Sequence, residues 1–320
     1  MQPNEVLWSI SCTVWSNPTV FAKTNSTLSN TFSMNASISH ALKLAATAAA
    51  FALAVSASAQ LNTPAASPYS ELKQTVGLTE IQLVYSRPSM KGREIFGGLV
   101  PYGSVWRTGA NQPTKISFSD DVVLGGKEVD AGTYALYTIP GKSEWTVIIY
   151  SNTELWGSFG YDQANDVVRF KVKPSKLGHA VESLTIGLDS LSNSSASIYL
   201  DWDHTRVAFS VEVPTDAKVM SQIDELKGTP AFENPNVLFG AGTYYHESGK
   251  DLEQALAWVG EACEKREQPA FWMYARKARL EVDLGKKAAA KASAEKTLEL
   301  ATAANNADYQ KIAKDILAAL

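Results

Sequence analysis

The sequence predicts an all-β sandwich followed by a smaller domain of α-helical hairpins. Three observations carry this. From about residue 81 to residue 213, short runs rich in Val, Ile, Tyr, Phe and Thr are separated by turn residues, with no helical pattern between them. The last run alternates: Val207, Phe209, Val211 and Val213 face one way, and Arg206, Ala208, Ser210 and Glu212 the other. Beyond Pro214, Ala, Leu, Glu and Lys replace Val, Tyr and Thr, and the period becomes helical.

The strands follow in order. "LNTPAASPYSELKQ" reads as a Pro/Ser-rich lead-in, and "IQLVYS" is the first strand. "KISFSDDVVL" reads as the second, after a long connection. "VVLGGKEV" is a hairpin whose Gly-Gly pair supplies the two positive φ angles of a two-residue turn. "GTYALYTIPGKSEWTVIIYS" is another hairpin, turned at Pro-Gly-Lys-Ser. "DVVRFKV", "ESLTIGL", "ASIYLDW" and "TRVAFSVEV" complete eight or nine strands. Their half-polar alternation suits an open sandwich wet on its outer faces. Helices are expected at about residues 236–247, 251–266, 269–284, 286–301 and 306–320.

The ends of the 320-residue chain differ in kind. "LAATAAAFALAV" (residues 44–55) is a short apolar run, preceded by Lys43 and followed by Ala57-Ser58-Ala59. A cation, a short apolar core and a small-x-small site form a secretory signal, and twelve residues are too few to span a bilayer comfortably. The expected organisation is an upstream extension or leader at 1–33, a signal peptide from Met34 to Ala59 and a lead-in at 60–67. The sandwich then occupies 68–215 and the helical domain 216–320. The mature protein is expected to be exported, periplasmic or extracellular, with no membrane span. Of Cys12 and Cys263 only the latter remains after cleavage, so no internal disulfide forms. The net charge of −4, with no basic stripe, argues against a nucleic-acid partner.

Residues 87–114 separate "IQLVYS" from "KISFSD", far longer than the usual four to six residues of a connection. This loop holds Arg87, Lys91, Arg93 and Arg107 against a single acid, Glu94, together with Phe96, Tyr102 and Trp106. Guanidinium forks bind carboxylate or phosphate, and aromatic rings add flat apolar faces. The candidate binding residues are therefore Arg87, Arg93, Trp106, Arg107 and Asn111, joined by Tyr161 and Asp162 of "WGSFGYD". A structural reading stands beside this one. Trp106, Phe96 and Leu99 would close the open end of the sandwich, Arg107 would satisfy loop carbonyls, and Asn111 would form a turn ahead of Pro113.

The stretch from "YSRPSMKGREIFGG" through "WRTGAN" to "AGTYALYTIPG" resembles the bacterial domain-of-unknown-function family numbered 2911. The resemblance runs from about residue 68 to 213. It implies an exported bacterial protein, often with helical repeats appended, and implies no catalytic residues. In the helical part, Gly249 aligns with Gly285 thirty-six positions on, Gly242 with Ala278, and Ala255 with Ala290 after a one-residue gap. This resembles tetratricopeptide-type hairpins, with Glu281 departing from the pattern where the first copy has Tyr245.

Catalytic and metal signatures are sparse. His179, His204 and His246 form no ligand-spaced pair. In "DWDH", a regular strand would put Asp201 and Asp203 on one face, with Trp202 and His204 opposite. No phosphate loop, dinucleotide fingerprint or nucleophile elbow is present. The expectation is an exported binding or interaction protein without metal or cofactor. Its β-domain would hold a small polar or anionic ligand or a peptide, and its helical arm would contact another envelope protein. The alternatives are a hydrolase built on the 87–114 loop and a purely structural envelope component.

Overall fold

The computed structural model describes residue 61 and residues 63–320. The extension at 1–33 and the signal peptide at 34–59 lie outside the described residues. Pro64–Leu320 forms one compact unit.

Ten strands come first: β1 (Tyr69–Val76), β2 (Thr79–Ser86), β3 (Thr114–Phe118), β4 (Val122–Leu124), β5 (Lys127–Val129), β6 (Gly132–Ile139), β7 (Trp145–Tyr150), β8 (Asp166–Val172), β9 (Ser175–Asp189) and β10 (Ser195–Glu212). They form a six-stranded sheet, β1-β2-β3-β6-β7-β8, and a four-stranded sheet, β5-β4-β10-β9. Every pairing between these strands is antiparallel. Between the sheets lie Leu83, Ile116, Trp145, Val147, Ile198, Trp202 and Val211, all fully or almost fully buried. The alternation at the end of β10 is as expected, with Val207, Phe209, Val211 and Val213 buried. Gly125 and Gly126 turn the β4–β5 hairpin with φ of 56° and 76°.

Three strand expectations are corrected. The lead-in contains β1, an edge strand whose mixed side chains are mostly solvated and so show no apolar face. "KISFSDDVVL" is two strands in different sheets. The break is fixed by Asp120, whose carboxylate accepts from the Thr79 hydroxyl at 2.8 Å and from Lys218 Nζ at 2.7 Å. The two predicted strands from Ala196 to Val213 are one long β10, irregular at Asp203, whose φ is 53°. The register shift there breaks the expected facing of "DWDH", because Asp201 and Trp202 are both buried. Asp201 takes two hydrogen bonds from Arg206, at 2.7 and 2.6 Å, which account for its buried charge.

Six helices follow: α1 (Thr215–Leu226), α2 (Pro235–Glu247), α3 (Leu252–Lys265), α4 (Phe271–Asp283), α5 (Lys287–Ala303) and α6 (Ala307–Ala319). The last five match expectation within two residues. Helix α1 was not anticipated, because it buries only Thr215 and Ile223 and so shows little apolar stripe. Gly249 and Gly285 adopt φ of 64° and 71° just past α2 and α4. At both ends the next amide reaches back five residues, Lys250 to the Tyr245 carbonyl and Lys286 to that of Glu281. This is the same glycine-dependent helix stop twice, thirty-six residues apart.

The helices carry their own apolar core, from Ile223 to Leu280, centred on Trp258, Val259 and Met273. It shares no buried residue with the sandwich core. Gly242 lets α2 rest on α3, for a methyl there would lie 2.8 Å from the Ala255 carbonyl and 2.6 Å from Val259 Cγ2. Gly242→Ala is therefore expected to cost about 1–3 kcal/mol, read as a lower denaturation midpoint in urea. Among the described residues, no helix is long and apolar enough to cross a membrane.

Candidate functional site

The connection between β2 and β3 clasps both sheets. Its first part lies along the free edge of β9: the Leu184 amide donates to the Pro88 carbonyl and the Met90 amide to that of Glu182. Its last part lies beside β6, where Trp106 and Thr138 exchange both backbone hydrogen bonds, at 2.8 and 2.9 Å. The first contact covers a sheet edge, and the second continues the pairing of β6 beyond the point where β3 begins, so both satisfy backbone groups that would otherwise be open. Between the two anchored parts, Ile95, Phe96, Val100 and Trp106 drop into the core. Trp106 stacks on Trp202 at 5.8 Å, and Phe96 meets Trp145 edge-on at 4.8 Å. Phe96 and Trp106 thus close the end of the sandwich, while Leu99 stays 44% exposed.

Above this aromatic floor is a cleft of about 440 Å³. Lys91, Arg93, Leu99, Trp106, Arg107, Ser158 and Trp202 are among its lining residues. Three of those side chains are cations, and none of the described lining residues is acidic. The nearby Glu182 carboxylate lies outside the lining and accepts from the Lys91 amide at 2.9 Å.

Arg107 is the unusual member. Its Nε is buried without a hydrogen-bond partner. Its guanidinium lies against Gly157, where an added methyl would be 3.0 Å from Nη1. The next residue, Thr108, is fully buried at φ 54°, a left-handed conformation that β-branched residues avoid. Thr108 is held there by the Thr138 hydroxyl at 3.0 Å and by the Thr114 hydroxyl, which donates to its carbonyl at 2.7 Å. The left-handed Thr108 thus adjoins a guanidinium whose Nε has no hydrogen-bond partner.

The other candidates separate. Arg93 lines the cleft, although its Nε and Nη2 donate to the Met90 and Ser89 carbonyls. Arg87 does not line it: Nε donates to the Leu184 carbonyl at 2.8 Å and Nη2 to the Thr185 hydroxyl at 2.7 Å. Asn111 is a left-handed turn residue, φ 61°, whose amide donates to Ser86 Oγ. Tyr161 donates to Asp166 and accepts from Arg169, at 2.6 and 2.7 Å. Asp162 caps a short 3-10 turn, accepting from the Ala164 amide. Only Arg93, Trp106 and Arg107 of the seven meet at the cleft. Sequence reasoning missed Ser158 and Trp202 there. The first came from the "WGSFGYD" segment already under suspicion, and the second was masked by its place in "DWDH". His204 faces a smaller cleft of about 300 Å³ with Lys142 and Lys176. Among the described residues, no cluster of three metal-ligating side chains occurs.

Beneath the Ser158 loop, on the outer face of the six-stranded sheet, Tyr137, Tyr150 and Tyr161 pack together, with centroids 5.0–5.5 Å apart. Burial pushes the Tyr137 phenol up to about 12; Tyr150 adds to this and the Arg107 cation opposes it. Burial, then the hydrogen bond to Asp166, raises Tyr161 to about 12 as well. Since tyrosine ionises near pH 10 in an unfolded chain, both groups stabilise the fold below that pH. This contribution is lost as pH rises from about 10 through 12. A melting temperature falling across this window, in step with tyrosinate absorbance, is the expected result. Tyr137→Phe flattens the fall.

Residues 67–211 match the family model described as "Protein of unknown function (DUF2911)". The match spans all ten strands but for the final residue of β10, and does not extend over the helices. No curated protein and no solved structure matches the chain.

Proposed function

We propose that the sandwich is a binding module for a small anionic ligand, held in the Arg107 cleft, in a protein exported from the cytoplasm. The carrying observation is a cleft lined by three cations and no acid, with one guanidinium Nε buried and unpartnered. A carboxylate or phosphate in the cleft accepts from the half-exposed remainder of this guanidinium, whose charge the fold leaves without a carboxylate partner among the described residues. The described lining includes several serines, Ser158 among them, but no histidine or carboxylate to take a proton from one. That supports binding over hydrolysis. Export rests on Lys43, the apolar run at 44–55 and Ala57-Ser58-Ala59. The helices, with their separate core, form the second domain in this reading, an arm at 216–320 that contacts an envelope partner.

The test is thermal denaturation with inorganic phosphate, sulfate and citrate. At a concentration a hundred times the Kd, a ligand adds about 2.7 kcal/mol of stability, a shift of several degrees. A rise with at least one anion, suppressed by high salt, is expected. No rise with any of them overturns the reading.

A further inference from the structure

We infer that the anion this cleft takes is the headgroup of an anionic lipid surface, which the loop between β7 and β8 grips with two aromatic tips. This rests on the anion-binding reading of the same cleft. In that loop Trp156 is 69% and Phe159 90% exposed. Large apolar side chains so exposed, close together, mark an interaction surface. Gly157 and Gly160, with φ of 68° and 77°, fold the chain around each tip.

The loop is firmly held. The Tyr137 hydroxyl donates to the Gly157 carbonyl at 2.8 Å, and the Asp162 amide donates to the Tyr150 hydroxyl at 3.1 Å. Leu155 packs on the same tyrosine cluster. Trp156 and Phe159 are therefore presented to solvent by a fixed base.

Ser158, between the two tips, lines the cleft, and the half-exposed Leu99 lines it as well. Cations in the cleft, with exposed aromatic tips on the loop that adjoins it at Ser158, match a bilayer boundary, where anionic headgroups border acyl chains. Tryptophan favours that boundary because its ring is apolar and its N–H polar. Of the loop's two carboxylates, Glu154 is paired with Lys115 at 3.3 Å, and Asp162 accepts from the Ala164 amide in the turn that leads back to β8. A soluble saccharide is the lesser fit, since neither Trp156 nor Phe159 lines the cleft to stack on a bound sugar.

The test is cosedimentation of the full chain with phosphatidylcholine vesicles, with and without phosphatidylglycerol. Trp156→Ser/Phe159→Ser is run beside the parent. Both carry the apolar run at 44–55, so their difference reads the loop alone. Phosphatidylglycerol is expected to raise parent affinity at least about tenfold, reversed by salt. The double variant is expected to lose that gain yet keep its thermal shift with phosphate. Equal binding of the parent to both vesicles, or a double variant that keeps the gain, overturns the inference; a surviving phosphate shift leaves anion binding standing. No phosphate shift in the parent overturns the reading beneath it. Weaker binding of a soluble anionic saccharide by the double variant, without vesicle preference, assigns the tips to a sugar and likewise overturns the inference.

Discussion

Arg107→Leu is expected to abolish anion binding while leaving the sandwich as stable as before, or more so. An arginine serving the fold would have its nitrogens on carbonyls, as Arg87 does on Leu184. Arg107 instead keeps Nε buried and unpaired. A buried donor without an acceptor costs about 1–3 kcal/mol, and more when charged. Leucine removes that cost and keeps part of the apolar stem, so the net change in stability stays within about 1 kcal/mol or favours the variant. Affinity for phosphate or citrate falls by at least about 2 kcal/mol, the range of a charge-assisted bond. Calorimetric titration and urea unfolding of one preparation separate the two effects. A variant destabilised by more than about 3 kcal/mol assigns Arg107 to the fold.

Trp202→Ala is expected to produce the largest loss of stability. Trp202 is 1% exposed, stacks on Trp106, meets Phe96 at 6.1 Å and donates from Nε1 to the Glu182 carbonyl at 3.2 Å. Removing a buried tryptophan costs about 3–5 kcal/mol. At this size each kcal/mol moves Tm by about 2–4 °C, so the sandwich should melt roughly 6–20 °C earlier. The helical core contains none of these residues, so the loss falls on the packing between the two sheets. Near-UV circular dichroism followed on heating reads it. Because Trp202 is also part of the cleft floor, anion binding is lost as well.

The sandwich was legible because β2, β6, β7 and the end of β10 write their burial as alternation or as continuous apolar runs. Edge strand β1 was not, since an edge with solvated side chains has nothing to alternate. The bulge at Asp203 was invisible because a register shift is fixed by pairing with β9, far along the chain. The 87–114 loop announced itself by length and cations, and Arg107 and Trp106 do meet there. Which arginine was free was not legible. Arg87 and Arg107 look alike in sequence, and only the carbonyl of Leu184, nearly a hundred residues on, tells them apart. Ser158 reaches the cleft through the Tyr137 hydroxyl bond to Gly157, another contact between distant residues.

The most direct measurement is the side-chain Nε–H resonance of Arg107 in ¹⁵N NMR, titrated with phosphate. If the cleft is an anion site, this signal shifts and saturates with the same Kd as the thermal effect, while the Arg87 signal stays in place. An Arg107 signal that does not move at phosphate concentrations that raise Tm would contradict the account, because the anion would then be binding elsewhere.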